Sequence, residues 1–488
     1  MINEVLNPAW REEERKAITD EVMADITQFS RKDRLVNLIG KKYEPSEDLD
    51  HLSRSITQLR IDHHKAVEKG QEEEFLDGLE KKVYEATDYM PNYNKKVTKF
   101  FYGALKFVGN YFVFNKVTPT GAWEQVRERA KEGRLAILAR HVDMFDTILY
   151  AYPFLEDGHL DGKGPPTYMM GDNLNVGWNS YLLKMFNSMF IKRKNSQNHD
   201  RITLSKILHR LFEKGHNMVI YPDGTRSRDG KIAPIRPKER YFMGKKRKVK
   251  AMRTGYLGYL FDINNNIKED MWITVASASS PLFTDVIKDH YKEVALGKKT
   301  KKINTIKRLF SFMKYRLVHP DSGIVVRYSE PILIPKGTWN NKVNRAKYSL
   351  RVRRTLKKSI TALPENIMAY TLRYIEQAES SYEYLNPKQR RARMKELFVR
   401  HTKHIIDTGV PYAEILEDMD KSFEIALKFN RKLNMGSWYR RNPALTRKLL
   451  INKNPIVEYN SNSVQHYFKD TYPLPQEKQT LVKMLKAS

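Results

Sequence analysis

The amino-acid sequence predicts an α/β fold: a mixed, mostly parallel sheet flanked by helices, with helical regions before and after it. Two observations carry this prediction. Between residues 101 and 345, short apolar or β-branched runs alternate with helical patterns, an order typical of sheets with parallel strand pairs. On either side, residues 1–100 are polar and rich in Glu, Lys and Arg, and residues 346–488 are helical in pattern and strongly basic.

The predicted strands are runs of apolar and β-branched residues. They lie at residues 135–139, 167–170, 189–191, 218–221, 272–276 and 323–328. Between residues 191 and 218, apolar residues recur with the spacing of one helical face, and Gly215 is expected to end that helix. The residues of this face are Leu204, Ile207, Leu208, Leu211 and Phe212. The order strand, helix, strand predicts parallel pairing.

These differences in composition and hydrophobic pattern divide the chain of 488 residues into three expected regions. They are a helical N-terminal domain at 1–100, an α/β domain at 101–345, and a helical, basic C-terminal region at 346–488. At about 150 residues per domain, the length fits two to four domains. The hydrophobic content of 41% is too high for a disordered basic tail.

Composition narrows the function classes. The chain has 87 Lys and Arg against 57 Asp and Glu, a formal net charge of +30, which favours an anionic partner such as nucleic acid, an anionic membrane surface or a phosphorylated small molecule. The absence of cysteine excludes a disulfide framework, a cysteine-ligated zinc site and a thiolate nucleophile. No apolar run approaches the roughly 18 residues of a membrane span, and the N-terminus has no signal-peptide pattern. We expect a soluble or peripheral protein of a reducing compartment.

A histidine and an aspartate follow the first of the predicted strands. On one continuous helix, His141 and Asp146 would lie about 140° apart and could not meet. With His141 in the strand-to-helix loop and Asp146 in the first helical turn, the carboxylate can orient the ring and stabilise its charged form. A general base acting on a hydroxyl requires this. The simpler alternative is that Asp143 and Asp146 are helix-capping residues beside a loop histidine, and an isolated His-x4-Asp spacing favours it.

Two further segments have the residue types of an anion site. Residues 221–231 follow a strand and contain a glycine, hydroxyl groups and arginines, which suit phosphate binding; the alternative is an ordinary Asp-Gly turn. Residues 190–194 end a strand with the cations Lys192 and Arg193. Such a pair is ordinarily just a solvated strand end.

In this order and spacing, the three segments resemble the glycerolipid acyltransferase family, the lysophosphatidate and glycerol-3-phosphate acyltransferases. That family carries His-x4-Asp, then Phe-Ile-x-Arg, then Phe-Pro-Glu-Gly-Thr-Arg-Ser, and the resemblance covers about residues 130–335. The Gly-Asp-Asn-Leu-Asn run at 171–175 and the segment at 190–193 are most similar to the glycerol-3-phosphate branch. The chain departs from it at Val142, where arginine is usual, at Asp223, where glutamate is usual, and at 275–276, which lack a proline.

The resemblance implies an enzyme that moves a fatty acyl group from an acyl thioester to the hydroxyl of glycerol-3-phosphate, giving 1-acylglycerol-3-phosphate. By the same resemblance, His141 is the general base and Asp146 orients the His141 ring. The residues expected to bind the acceptor are Lys192, Arg193, Asp223, Gly224, Thr225, Arg226 and Ser227. Acyl-CoA or acyl carrier protein is the expected co-substrate, and neither a cofactor nor a metal is expected.

Three alternatives remain open at this point. The acceptor can be lysophosphatidate, or another phosphorylated or zwitterionic molecule. From another class, the charge and the aromatic residues fit a nucleic-acid-binding protein. No helix-turn-helix, zinc, RNP or KH signature is evident in the sequence, so no nucleic-acid partner is expected.

A membrane surface is the remaining expected partner. Residues 231–250 hold nine Lys or Arg against the single acid Glu239, with aromatic residues between them, a composition that suits anionic lipid. The predicted docking residues are Lys245, Lys246, Arg247 and Lys248. A second basic and aromatic segment runs over 298–316. The expected location is cytoplasmic and peripheral, on the inner face of the membrane.

Overall fold

The structure is a computed structural model. It describes residues 8–27, 51–91, 100, 103, 117–142, 146–156, 165–172, 180, 183–185, 187–192, 196–224, 227, 230–236, 238–242, 245–249, 251–267, 269–280, 324–379, 382, 384–434, 455–468 and 471–472.

A central sheet organises the described part of the chain. Its strands are β1 (Val117–Gly121), β2 (Leu135–Ala139), β3 (Thr167–Gly171), β4 (Ser188–Ile191), β5 (Met218–Ile220), β8 (Met271–Ser279), β9 (Ile324–Tyr328) and β10 (Ile332–Ile334). Within the described residues they form one eight-stranded sheet in the order β1-β9-β8-β2-β5-β3-β4, with β10 paired to β8. Strands β8, β2, β5, β3 and β4 run parallel, and β9 and β10 run antiparallel to β8. The prediction of a mixed, mostly parallel sheet is confirmed.

Helices surround this sheet. Those before or between the strands are α1 (Pro8–Thr27), α2 (His51–Glu68), α3 (Glu72–Thr87), α4 (Trp123–Glu132), α5 (Asp146–Glu156), α6 (Asn198–Glu213) and α7 (Gly255–Asn266). Those after the strands are α8 (Lys342–Lys358), α9 (Pro364–Ala378), α10 (Pro387–Asp407), α11 (Met419–Asn434) and α12 (Pro455–Phe468). No described helix is both long enough and apolar enough to cross a bilayer.

Strand β2 lies at the centre of the sheet and is buried along its whole length. Its side chains alternate between the two faces of the sheet. Ala136 and Leu138 pack on one face with helices α6 and α7, and Leu135, Ile137 and Ala139 pack on the other with α4 and α5. Burial on both faces explains why the strand has five apolar residues in a row.

The N-terminal and C-terminal helices pack differently. The buried residues Ile18, Val22, Leu79 and Val83 of α1 and α3 belong to the same core as the α6 face of the sheet. Helices α9 to α12 have an aromatic core of their own, which includes Tyr370, Phe398, Phe423 and Phe468. In that core, the rings of Tyr370 and Phe468 stack with centroids 4.2 Å apart.

The remaining strands form a separate hairpin. Strands β6 (Lys238–Phe242) and β7 (Lys245–Val249) pair antiparallel, with Arg240 opposite Arg247 and Phe242 opposite Lys245. Cross-strand partners share a face, and successive residues alternate between faces. By this register, positions 238, 240, 242, 245, 247 and 249 belong to one face of the hairpin and positions 239, 241, 246 and 248 to the other. The predicted second basic segment at 298–316 lies outside the described residues.

Candidate active site

The site lies at the carboxyl ends of two neighbouring strands. Strands β2 and β5 are adjacent and parallel, with Leu138 opposite Ile220. The loop that begins at Arg140 and the loop that begins at Tyr221 therefore leave the sheet at the same edge. Ligand sites of open α/β sheets are found at this edge.

The structure brings His141 and Asp146 into contact. His141 follows β2, Asp146 is the first residue of helix α5, and the His141 Nδ1 and Asp146 Oδ2 atoms are 2.9 Å apart. The same Asp146 oxygen accepts the backbone N–H of Val142 at 2.5 Å. The side chain of Asp146 is 1% exposed and that of His141 is 20% exposed. Two hydrogen bonds thus hold the buried Asp146 carboxylate in place, while part of the His141 ring stays accessible to solvent.

This geometry selects one tautomer of the neutral imidazole. A carboxylate can only accept hydrogen bonds, so the proton of the neutral ring is on Nδ1 and Nε2 is the acceptor. The position of Asp146 in the first turn of α5 also suits its negative charge, because the N-terminal end of a helix is partly positive. The pair can therefore remove a proton from a hydroxyl at Nε2 and stabilise the resulting imidazolium.

Aromatic residues that sequence reasoning missed form the wall behind the pair. The ring of Tyr221 lies 4.6 Å from that of His141 between centroids, and its hydroxyl is 3.3 Å from Thr147 Oγ1. The Tyr150 hydroxyl donates to Arg140 O at 2.8 Å and accepts the Ala278 N–H at 3.0 Å. Burial raises the pKa of both tyrosines above its usual value, so both stay neutral. The one signal for Tyr221 was its position where the predicted strand at 218–221 meets the candidate anion-binding loop at 221–231.

The loop after β5 is tied to the loop that carries His141. The backbone N–H of Ser227 donates to His141 O at 2.7 Å, and the Ser227 hydroxyl donates to Lys231 O at 2.9 Å. Asp223 is buried and accepts the Ala233 N–H at 3.2 Å through Oδ1. Gly224 has a φ of +64° and its N–H donates to Tyr221 O at 2.9 Å, so the Asp-Gly turn, which was the alternative to an anion site, is present within this loop. Asp223 thus forms a hydrogen bond within its own loop.

Other predicted acceptor residues are placed elsewhere or are not described. Lys192 follows β4, three positions from β2 in the sheet, a separation of about 14 Å at about 4.8 Å per strand. Its Nζ lies 3.2 Å from Asp200 Oδ2, and Asp200 also accepts the Gln197 N–H at 2.7 Å at the start of α6. Arg193, Thr225 and Arg226 lie outside the described residues.

A cavity of about 830 Å3 lies beside Lys192. Helices α2 and α3, Tyr89 and the start of α6 form its walls, which carry both acidic and basic side chains. His141 is not among the described residues that line it. The cavity and the His141–Asp146 pair are therefore separate features of the described structure.

Comparison with known proteins bears on the segment that contains this pair. Residues 123–248 match the family model described as Acyltransferase. The acyltransferase segment runs from α4 to strand β7 and includes His141, Asp146 and the loop after β5. The match supports an acyltransferase activity for this segment and does not distinguish between acceptors. No curated protein matches the chain.

Proposed function

We propose that the protein transfers a fatty acyl group from an acyl thioester to the hydroxyl of glycerol-3-phosphate, giving 1-acylglycerol-3-phosphate. The observation that carries this proposal is the 2.9 Å contact between His141 and Asp146 within the acyltransferase segment. The motifs at 171–175 and 190–193, which are similar to the glycerol-3-phosphate branch, support this acceptor.

The reaction needs one base and no covalent enzyme intermediate. His141 Nε2 takes the proton of the acceptor hydroxyl as the oxygen attacks the thioester carbonyl carbon. The carbon–sulfur bond then breaks, and the proton passes from His141 to the leaving thiolate, so that an ester and a free thiol are the products. Asp146 stabilises the imidazolium between these two steps, and in the proposal Arg193 and Arg226 hold the acceptor phosphate.

Thiol release in the presence of a panel of acceptors tests the proposal. The protein is incubated with acyl-CoA, or with acyl carrier protein loaded with the same chain, and separately with glycerol-3-phosphate, lysophosphatidate and dihydroxyacetone phosphate. We expect the highest kcat/KM with glycerol-3-phosphate. Faster turnover with lysophosphatidate would assign the protein to the other branch, and no release with any acceptor would refute acyl transfer.

We also propose that the β6–β7 hairpin docks the enzyme on the inner face of an anionic membrane. The sequence at the positions of one hairpin face supports this: the register assigns Lys238, Arg240, Lys245 and Arg247 to that face, and no acidic residue. The opposite face carries Lys246, Lys248 and the acid Glu239. Each cation near an anionic leaflet contributes about 1 kcal/mol, and salt screens the attraction.

Two double variants with the same change in charge test the docking face. Replacing Lys245 and Arg247 with glutamine should weaken binding to phosphatidylserine-containing vesicles about 30-fold, since about 2 kcal/mol is lost. Replacing Lys246 and Lys248 with glutamine is the matched control and should weaken it less. Vesicle co-sedimentation across a salt series measures both. Equal losses would refute the choice of face, and indifference of the parent to anionic vesicles would refute docking.

A further inference from the structure

Arg140, the residue before His141, is a buried cation that reaches the loop after β5. Arg140 is 3% exposed, and its Nη2 atom donates to the backbone oxygen of Gly230 at 2.7 Å. Its own N–H donates to Ala276 O at 2.9 Å, within the sheet. A buried hydrogen bond to a charged group is costly to break, because the group then stays desolvated without a partner. Arg140 therefore joins the rigid centre of the sheet to Gly230.

Gly230 lies directly against helix α12. A Cβ atom at this position would be 2.3 Å from the backbone oxygen of Tyr459 and 3.0 Å from Ser463 Oγ. Its φ of +76° is in the left-handed region that favours glycine. Any side chain at 230 would collide with backbone of α12, so the loop and the helix cannot both keep their positions after such a change.

Helix α12 is itself held by the C-terminal helices. The Tyr467 hydroxyl lies 2.7 Å from Ile360 O and 2.9 Å from Lys357 O, and its single proton is shared between these two carbonyls. Phe468 stacks on Tyr370. Tyr459 and Ser463, which face Gly230, are both buried. The loop thus rests on a surface that the last described helix supplies and that the aromatic core of the C-terminal region supports.

We propose that Arg140 and helix α12 act together as a positioning unit for the loop at 222–236, and that this unit sets the acceptor site relative to His141. The inference rests on the proposed function. Ser227, three residues before Gly230, donates its N–H to His141 O, so a shift at Gly230 passes directly to the backbone of the base. This assigns the C-terminal region a part in acceptor binding.

Hydrogen exchange of two variants tests the positioning unit without any substrate. Gly230→Ala should accelerate exchange of the Ser227 and Ala233 amides, while the Arg140 amide within the sheet keeps its protection. The matched control is Gly337→Ala, because Gly337 has a φ of +75° and nothing within 4 Å of the position of a Cβ. The control therefore imposes the same backbone strain without the collision.

Kinetics of Arg140 variants supply the second readout. Arg140→Gln should raise the KM for acceptor about tenfold or more, the effect of one lost charged hydrogen bond, with a smaller change in kcat and in the KM for acyl donor. Arg140→Lys, which keeps the charge, should recover part of the loss. If the Ser227 and Ala233 amides exchange at the same rate in Gly230→Ala as in Gly337→Ala, the proposed positioning unit is refuted. A parent without acyl transfer would instead refute the proposed function, and the exchange comparison would still decide the positioning.

Discussion

Replacing Asp146 with asparagine tests the pair without changing the size of a buried side chain. The Asp146 Oδ2 atom accepts hydrogen bonds from the His141 ring at 2.9 Å and from the Val142 amide at 2.5 Å. An asparagine oxygen can accept the same two bonds. We therefore expect the loop and the fold to persist in Asp146→Asn while the negative charge beside the imidazolium is lost.

The size of the effect follows from that lost charge. A hydrogen bond to a charged group contributes about 1.5–3 kcal/mol, and about 1.4 kcal/mol corresponds to a tenfold change in rate. Asp146→Asn should accordingly lower kcat by about 10- to 150-fold. His141→Ala should cost more, about 100- to 10,000-fold, because it removes the base itself.

The assay is thiol release from acyl-CoA at saturating acceptor, with thermal unfolding as the check on folding. Asp262→Asn is the matched control: Asp262 accepts the Asn340 amide at 3.1 Å on helix α7, away from the pair. Because Asp146 acts through His141, adding Asp146→Asn to His141→Ala should cause no further loss. A folded Asp146→Asn enzyme with parental kcat, or losses that multiply in the double variant, would refute the role assigned to the carboxylate.

Three further predictions concern the acceptor, the wall of the site and the C-terminal helices. Arg193→Ala and Arg226→Ala should each raise the KM for acceptor by about 10- to 150-fold; a rise in the KM for donor instead would show that neither holds the phosphate. Tyr221→Phe removes the contact with Thr147 but keeps the ring, so kcat should stay near the parental value, whereas Tyr221→Ala should lower it as the wall behind the base is lost. Burial raises the pKa of Glu365 to about 7 from 4.5, so the folded state retains a proton that the unfolded state has released, and stability falls as pH rises from 4.5 through 7. Glu365→Gln should thus be more stable than the parent at pH 8, by about 3 kcal/mol at about 1.4 kcal/mol per pKa unit, and equal to it at pH 4; equal denaturant midpoints at pH 8 would contradict this.

Six strands of the sheet were predictable because each is a short apolar or β-branched run; strands β1 and β10 and the hairpin strands β6 and β7 were not predicted. The all-apolar run at 135–139 indicates a strand buried on both faces, and β2 is such a strand. The approach of His141 to Asp146 was foreseeable for the same reason. A strand, a short loop and a helix start fix both positions locally, and no distant contact is needed to bring them together.

The rest of the site depends on contacts that sequence spacing does not encode. Lys192 is engaged by Asp200, which also closes the first turn of α6, and that local capping requirement competes with the predicted phosphate role. Arg140 is next to His141 in sequence, yet its side chain donates a hydrogen bond to Gly230, which is 90 residues away. Tyr221 lies on His141 only because β5 is the neighbour of β2, and strand order is a property of the whole sheet.

The contact between Gly230 and helix α12 also has a consequence for biosynthesis. It joins positions about 230 residues apart, and at translation rates of about 5–20 residues per second α12 is completed about 10 to 45 s after the loop. During that interval, the nascent chain already contains β2, β5 and the His141–Asp146 pair, but the surface on which Gly230 rests has not been made. With the proposed positioning unit, acyl transfer should therefore begin only after helix α12 is completed, and chains stalled before residue 455 should contain His141 and Asp146 without the surface on which Gly230 rests.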